Sequence, residues 1–301
     1  SALKMALEMA EKTRADLVMA TDPDADRIGI AVRDKRGEMI LLNGNQMASI
    51  LSYYILERWR DTGKLKEGDN PDFYMVKTIV TTDLLKSMAD HYGVEIFNVL
   101  TGFKYIAEVV RKHEGKRTFI CGGEESYGFN IGEFVRDKDA VISAVLIAEA
   151  AAWAAERDLN LYDILLEIYT KFGLYKERLL SVTKKGINGS EQISEIMKSL
   201  RESPLQKLVD SDIVLIHDYL KSESVDMISD LRFKINLPKS NVLQYVSSDN
   251  SIVSVRPSGT EPKIKYYFGV KESLSKIEDY DLVSKNLEDR LNKMVSQIEK
   301  L

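Results

Sequence analysis

The sequence predicts an α/β protein built in two styles: a doubly wound domain on a mixed or parallel sheet, then a C-terminal α+β domain with an antiparallel sheet. Three observations carry this. Between Phe73 and Cys121, β-rich runs alternate with segments of helical period, the signature of strand-helix-strand units. After Gly173 the strand-like runs multiply and the helical segments thin out. A chain of 301 residues, 44% of them apolar, can fill two cores.

The elements follow in order. Residues 1–15 place Leu3, Ala6, Leu7 and Ala10 on one helical face. Strands are expected at 16–20 and 28–33, separated by an Asp-rich loop. A turn at Asp34–Gly37 leads to Met39–Leu42. Asn43-Gly44-Asn45 can cap a helix carrying Met47, Ile50, Leu51, Tyr54 and Ile55 and ending near Arg60. Then come a strand at Phe73–Val80, a helix at Thr82–His91, a strand at Val94–Val99, a helix at Phe103–Lys112 and a strand at Thr118–Cys121. The very apolar stretch from Val141 to Ala155 reads as a buried helix within 140–157, too short to span a bilayer. Beyond Gly173, strands are expected at Leu174–Val182, Ile213–His217, Val242–Val246, Ile252–Val255 and Ile264–Val270. Helices are expected at Ser190–Ser203 and along the stripe Val283, Leu287, Leu291, Met294, Ile298; the polar stretch 221–240 reads as an irregular excursion.

Composition narrows the function. Forty-two basic and 47 acidic residues give a net charge of −5, and no basic stripe interleaves with aromatics, which argues against a nucleic-acid surface. Cys121 is the only cysteine, so no disulfide framework or thiolate metal site exists; this usage, with no secretory signal in view, predicts a cytoplasmic protein. Cys121 ends an apolar run and reads as core. His91, His113 and His217 have no ligand spacing and read as structural.

Three loops carry chemistry. In Thr21-Asp22-Pro23-Asp24-Ala25-Asp26-Arg27, alternate residues of an extended loop point the same way, so three carboxylates can converge. Their mutual repulsion is relieved by a hard divalent cation, and oxygen-only ligation favours Mg²⁺, Mn²⁺ or Ca²⁺. The helix-loop-helix Ca²⁺ pattern is not met, because Gly and Glu are absent from its sixth and twelfth positions. Gly122-Gly123-Glu124-Glu125-Ser126 offers carboxylates and a hydroxyl at the sheet edge where ligands bind, a way to hold vicinal sugar hydroxyls. Thr101-Gly102-Phe103-Lys104 and Lys77-Thr78 through Thr81-Thr82 fall at the same edge. Arg256-Pro257-Ser258-Gly259-Thr260-Glu261-Pro262 combines a guanidinium, two hydroxyls and N–H groups freed by a Gly turn, a phosphate cradle. Each loop also has a plain reading as a solvated turn.

Taken together, Asp22-Pro-Asp24-Ala-Asp26-Arg27, Gly123-Glu124-Glu125-Ser126 and Arg256-Pro-Ser258-Gly259-Thr260-Glu261-Pro262 resemble, in order and spacing, the α-D-phosphohexomutase superfamily of phosphoglucomutases and phosphomannomutases. The resemblance covers essentially the whole chain. It implies the C-terminal part of a metal-binding second domain at 1–40, a sugar-binding α/β domain at 41–172 and a phosphate-binding α+β domain at 173–301. It further implies Mg²⁺ on Asp22, Asp24 and Asp26, with Arg27 and Lys104 beside the reacting phosphoryl group. Glu124 and Ser126 would bind the sugar, and Arg256, Ser258, Gly259 and Thr260 the non-reacting phosphate.

Two departures accompany the resemblance. Tyr127-Gly128 stands where many relatives have Gly-His after the sugar-loop serine, which leaves glucose, mannose and pentose phosphates open. The family's phosphoryl-carrying serine, in a Thr-Ala-Ser-His-Asn-Pro-like loop, has no counterpart here. The chain therefore reads as a C-terminal fragment of a phosphoglucomutase-like isomerase, inactive by itself, acting on a small phosphosugar with neither nucleic acid nor membrane as partner and of unassigned oligomeric state. Phosphomannomutase, phosphopentomutase and a non-catalytic sugar-phosphate-binding module are the alternatives. A phosphatase with Asp22 as nucleophile fits less well, because Asp26 stands where such enzymes want Thr or Val.

Overall fold

The computed structural model describes residues 3–184, 188–259 and 261–300. The chain divides into two compact units, Ser1–Gly173 with Leu274–Ile277, and Leu174–Ser273 with Glu278–Leu301.

The first unit begins with helix α1 (Lys4–Thr13) on a three-stranded antiparallel sheet of order β1 (Leu17–Thr21), β2 (Ile28–Arg33), β3 (Met39–Leu42). Ala10, Val18 and Ala31 form its small core, with Leu3, Ala6, Leu7 and Met39 against them. Thr21 pairs with Ile28, so the Asp-rich segment is the connection of a β-hairpin. Asp34 builds the next turn by accepting from the N–H groups of Arg36 and Glu38 at 2.8 and 2.9 Å.

Helix α2 (Gly44–Asp61) starts at a capping box in which Asn43 and Gln46 satisfy each other's backbone N–H groups. It is followed by β4 (Phe73–Thr78), α3 (Leu84–His91), β5 (Glu95–Val99), α4 (Phe103–His113), β6 (Thr118–Gly123), β7 (Phe129–Ile131), α5 (Ala140–Ala155) and α6 (Leu161–Phe172). The sheet runs β5-β4-β6-β7, with the first three strands parallel and β7 antiparallel at the edge. Helices cover both faces: a Cβ on Gly122 would meet Ile106 of α4, and one on Gly123 would lie 3.4 Å from Ala48 of α2. Thr78 pairs with Val99 and Lys77 with Gly123, so the three parallel strands end level and deliver their loops to one edge.

Two sequence expectations fail in this unit. Helix α6 went unread, although Asn160 caps it and forms a capping box with Asp163. Helix α5 is not buried all round: Leu146, Ile147, Ala150 and Ala154 face inward, while Val141 and Val145 are 64% and 58% exposed. It packs against β7, α2 and α6 and also touches β1 and β2, and the side that carries Val141 and Val145 stays uncovered.

The second unit contains β8 (Leu174–Thr183), α7 (Gly189–Glu202), β9 (Lys207–Leu208), β10 (Ser211–Asp218), β11 (Glu223–Asp226), β12 (Arg232–Lys234), β13 (Leu243–Ser247), β14 (Ile252–Pro257), β15 (Lys263–Glu272) and α8 (Tyr280–Ile298). Its antiparallel sheet is ordered β12-β11-β10-β13-β14-β15-β8, with β9 paired to β10. Leu287, Leu291, Met294 and Ile298 are the buried stripe of α8. The excursion at 221–240 is not irregular throughout: β11 and β12 extend the sheet edge as a hairpin, tightened where Asp226 accepts from the N–H groups of Ile228 and Ser229. Polar strands at an exposed edge lack the apolar alternation that reveals a strand in sequence. Among the described residues no helix is long and apolar enough to cross a membrane.

Candidate active site

The acid loop folds around Asp22. Its Oδ1 accepts from the N–H groups of Asp26 and Arg27, both at 3.1 Å, and its carbonyl accepts from Ala25 N–H at 3.0 Å. Ala25 takes a left-handed backbone, φ 55°, to close this turn. The carboxylates thus converge by wrapping around one of their own members, not by the alternation of an extended loop. One oxygen from each of Asp22, Asp24 and Asp26 lies within 4.8 Å of the others. The Arg27 N–H hydrogen bond is the largest influence on Asp22 and holds its carboxyl below the usual range.

Asp26 has two different oxygens. Oδ2 accepts from the ammonium of Lys138, a residue 112 positions away. Oδ1 is buried and has no hydrogen-bond partner among the described residues; Arg27 Nε lies 3.7 Å from it. A converging, oxygen-only donor set with a buried, unpartnered oxygen fits a hard divalent cation such as Mg²⁺, and Asp22, Asp24 and Asp26 could hold it.

The loop after β6 is stitched to the acid loop. Arg27 and Gly128 form an antiparallel bridge, Ile28 N–H donates to Tyr127 O at 3.3 Å, and Ala140 N–H donates to Ala25 O at 3.1 Å. The first residue of α2 presses on the same loop: a Cβ on Gly44 would stand 2.2 Å from Glu125 O and 2.7 Å from Tyr127 N. Only glycine permits that approach.

Glu124 is 6% exposed, and Gly102 N–H donates to its Oε1 at 3.0 Å. Burial pushes its carboxyl up from the usual range, and the neighbouring Glu125 charge adds to the push. Glu125 Oε2 receives the hydroxyls of Thr78 and Thr81 at 3.4 and 3.3 Å. Ser126 is half-buried, and Tyr127 is exposed with a left-handed backbone, φ 71°. Lys104 is exposed in the first turn of α4, its Nζ 4.9 Å from the Tyr105 ring. Through Gly102, that turn is tied to Glu124. Lys77 is 2% exposed; its ammonium holds Thr78 O, Thr81 O and Asp83 at 3.3, 3.0 and 2.8 Å, which makes it a clamp on the β4–α3 turn.

In the second unit, residues 258–262 connect β14 to β15. Arg256, paired with Lys265, and Ser258 are half-buried; Gly259 is exposed. The expected set of free N–H groups is reduced, since Ser258 N–H already donates to Lys263 O at 2.7 Å. Thr260 lies outside the described residues. Cys121 is buried beside Ser52 and its thiol is pushed up to about 12, chiefly by burial. His113 stacks on Phe97, His91 packs on Phe172, and His217 Nδ1 pairs with Ser224 at 2.6 Å. Sequence reasoning missed Lys138: Asp137-Lys138-Asp139 looks like a solvated charge run, and only the fold brings it to Asp26.

Comparison with known proteins identifies the family. The phosphoglucomutase/phosphomannomutase α/β/α domain III model matches residues 43–172, and the domain II model matches residues 1–37. A phosphoglucomutase of Staphylococcus aureus (strain USA300) is 41% identical over 270 residues, covering 90% of this chain and 47% of that protein. The chain thus spans about half the length of the curated relatives it matches. A phosphoglucomutase/phosphomannomutase family protein of Burkholderia thailandensis has a similar fold, with TM-score 0.60, 14% identity, and coverage of 99% of this chain and 50% of that one. Parafusin, a phosphoglucomutase of Paramecium in an open form, gives TM-score 0.55 at 18% identity, over 93% and 45% of the two chains. The chain belongs to the α-D-phosphohexomutase superfamily.

Proposed function

We propose that this chain supplies the metal, sugar and phosphate sites of a phosphoglucomutase-type isomerase, which interconverts hexose 1-phosphate and hexose 6-phosphate through a phosphoserine and a bisphosphate. The observation that carries the reading is the stitched pair of loops in the first unit, with three converging carboxylates on one and the buried Glu124 on the other.

Asp22, Asp24 and Asp26 hold Mg²⁺, which when bound offsets the charge of a transferring phosphoryl group. Arg27 and Lys104 add cationic contacts to that group's oxygens. Glu124 accepts from sugar hydroxyls, and Ser126 adds a donor. Arg256, Ser258, Gly259 and Thr260 anchor the phosphate that does not react, with the guanidinium making the charged contact. A mutase must accept the sugar in two orientations, and carboxylates that accept from vicinal hydroxyls tolerate such a reversal. The identity of the curated relatives favours glucose phosphate over mannose or pentose phosphates. The sequence contains no phosphoserine loop, so we expect turnover to require further polypeptide and the chain alone to be inactive.

The test joins this chain to the N-terminal portion of a phosphoglucomutase relative. Glucose 1-phosphate, mannose 1-phosphate and ribose 1-phosphate are then assayed with Mg²⁺ and a trace of bisphosphate. Turnover is expected with glucose 1-phosphate, absent from the chain alone, and abolished by Asp22→Asn, which also weakens Mn²⁺ binding about tenfold or more. Phosphosugar binding with no turnover on any substrate would favour the non-catalytic module instead.

A further inference from the structure

We infer that Lys138 is a built-in counter-cation of the acid loop: its ammonium keeps the metal-free carboxylates assembled and then opposes the incoming metal. The inference rests on the metal site proposed above and deepens it.

The observations are geometric. The Lys138 ammonium donates to Asp26 Oδ2 and lies 3.5 Å from Asp137 Oδ1; the side chain is only 14% exposed. Its stem is fixed from the other side, because a Cβ on Gly128 would come within 2.7 Å of Lys138 Cδ. The same Cβ would lie 3.4 Å from Glu124 Oε2, so the lysine threads between the sugar loop and the acid loop. The next residue, Asp139, caps α5 through the N–H groups of Val141 and Ile142, which fixes the backbone from which the lysine projects.

The charge arithmetic gives this arrangement a function. Three carboxylates within 4.8 Å repel one another, and the backbone N–H groups satisfy only Asp22. Arg27 is half-exposed and stands 3.7 Å from Asp26 Oδ1, beyond hydrogen-bond reach. Among the described residues Lys138 is the side-chain cation hydrogen-bonded to the triad, and by engaging Oδ2 it leaves the buried Oδ1 of Asp26 without a hydrogen-bond partner. A metal entering the triad meets preset ligands, but also a fixed positive charge. Lys138 therefore exchanges metal affinity for preorganisation, and it keeps a cation beside the phosphoryl site while the metal is absent. Lys138 is a positioning residue, acting through Asp26.

The test uses the 301-residue chain with Mn²⁺ as the probe, followed by the loss of the free-ion paramagnetic resonance signal, together with thermal unfolding in chelator and in Mn²⁺. Lys138→Met is expected to lower the metal-free unfolding temperature and to bind Mn²⁺ about three- to tenfold more tightly, since a nearby like charge is removed. Lys138→Arg, which keeps the charge, should stay within about twofold of the unsubstituted chain. A merely structural lysine would give the temperature loss without the gain in affinity. Equal or weaker Mn²⁺ binding by Lys138→Met overturns the inference while leaving the metal site standing. No Mn²⁺ binding by any of the three proteins overturns the metal site itself, and the inference with it.

Discussion

Asp22 and Glu124 sit on loops joined by the Arg27–Gly128 bridge, yet their surroundings push them in opposite directions. Asp22 is wrapped by two backbone N–H groups and held anionic; Glu124 is buried beside another carboxylate and pushed toward its proton. The difference suits two kinds of ligand. A cation wants a carboxylate already ionised, whereas a sugar hydroxyl can be held by a carboxyl group whose charge is costly until the ligand arrives. Backbone N–H groups set the state of Asp22, whereas burial and a neighbouring charge set that of Glu124, against the opposing pull of the Gly102 N–H.

The largest effect should come from breaking the contact that holds the two loops in place. Gly44→Val forces side-chain atoms into Glu125 O and Tyr127 N, and both obstacles are backbone. We expect a loss of about 3 kcal/mol in urea unfolding and the disappearance of phosphosugar binding. A variant as stable as the unsubstituted chain would mean that the 124–128 loop moves freely, and the contrast between the loops would lose its structural basis.

A smaller effect tests the electrostatic half of the comparison. Because the Glu124 carboxyl is raised in the folded chain, it favours folding below the ordinary glutamate range and that contribution is lost as pH rises through the raised value. At neutral pH its charge is a cost. Glu124→Gln keeps the oxygen that accepts from Gly102 N–H and removes the charge. The variant should be more stable at pH 8 by about 1 kcal/mol, with the advantage shrinking toward pH 4, while sugar binding falls. Asp22 has the opposite sign: its lowered value stabilises above the ordinary aspartate range and is lost as pH falls. A pH-independent difference between Glu124→Gln and the unsubstituted chain would remove the distinction drawn here.

How much of this was legible in the sequence follows from the range of each interaction. Strand β2, the helix beginning at Phe103 and the strand beginning at Leu174 were readable because apolar periodicity and turn residues act locally. Asp22, Asp24 and Asp26 were readable because all three ligands come from one hairpin connection. Helix α6 should have been legible from Asn160 and Asp163, a capping pair followed by Ile164, Leu165 and Ile168. Strands β7, β11 and β12 were not, since three or four residues at a sheet edge carry no period. Lys138 was beyond reach for a different reason: its partner is set by tertiary contact across 112 positions, and its local setting between two aspartates gives it an ordinary explanation.

The smallest expected effect separates what the fold needs from what a ligand needs. Gly44 presses on one candidate binding loop and Gly259 stands in another, but a Cβ on Gly259 meets nothing within 4 Å and its backbone lies outside the left-handed region. Folding therefore gives no reason for glycine there. Gly259→Ala should change stability by less than about 0.5 kcal/mol in either direction, as measured by urea unfolding. If position 259 touches the substrate's phosphate through its backbone, the same variant should still bind glucose 6-phosphate more weakly, because the added methyl group occupies the approach to the N–H. A loss of binding without a loss of stability would mark a glycine whose reason is the ligand. Unchanged binding with unchanged stability would remove Gly259 from the phosphate site and leave that anchor to Arg256 and Ser258.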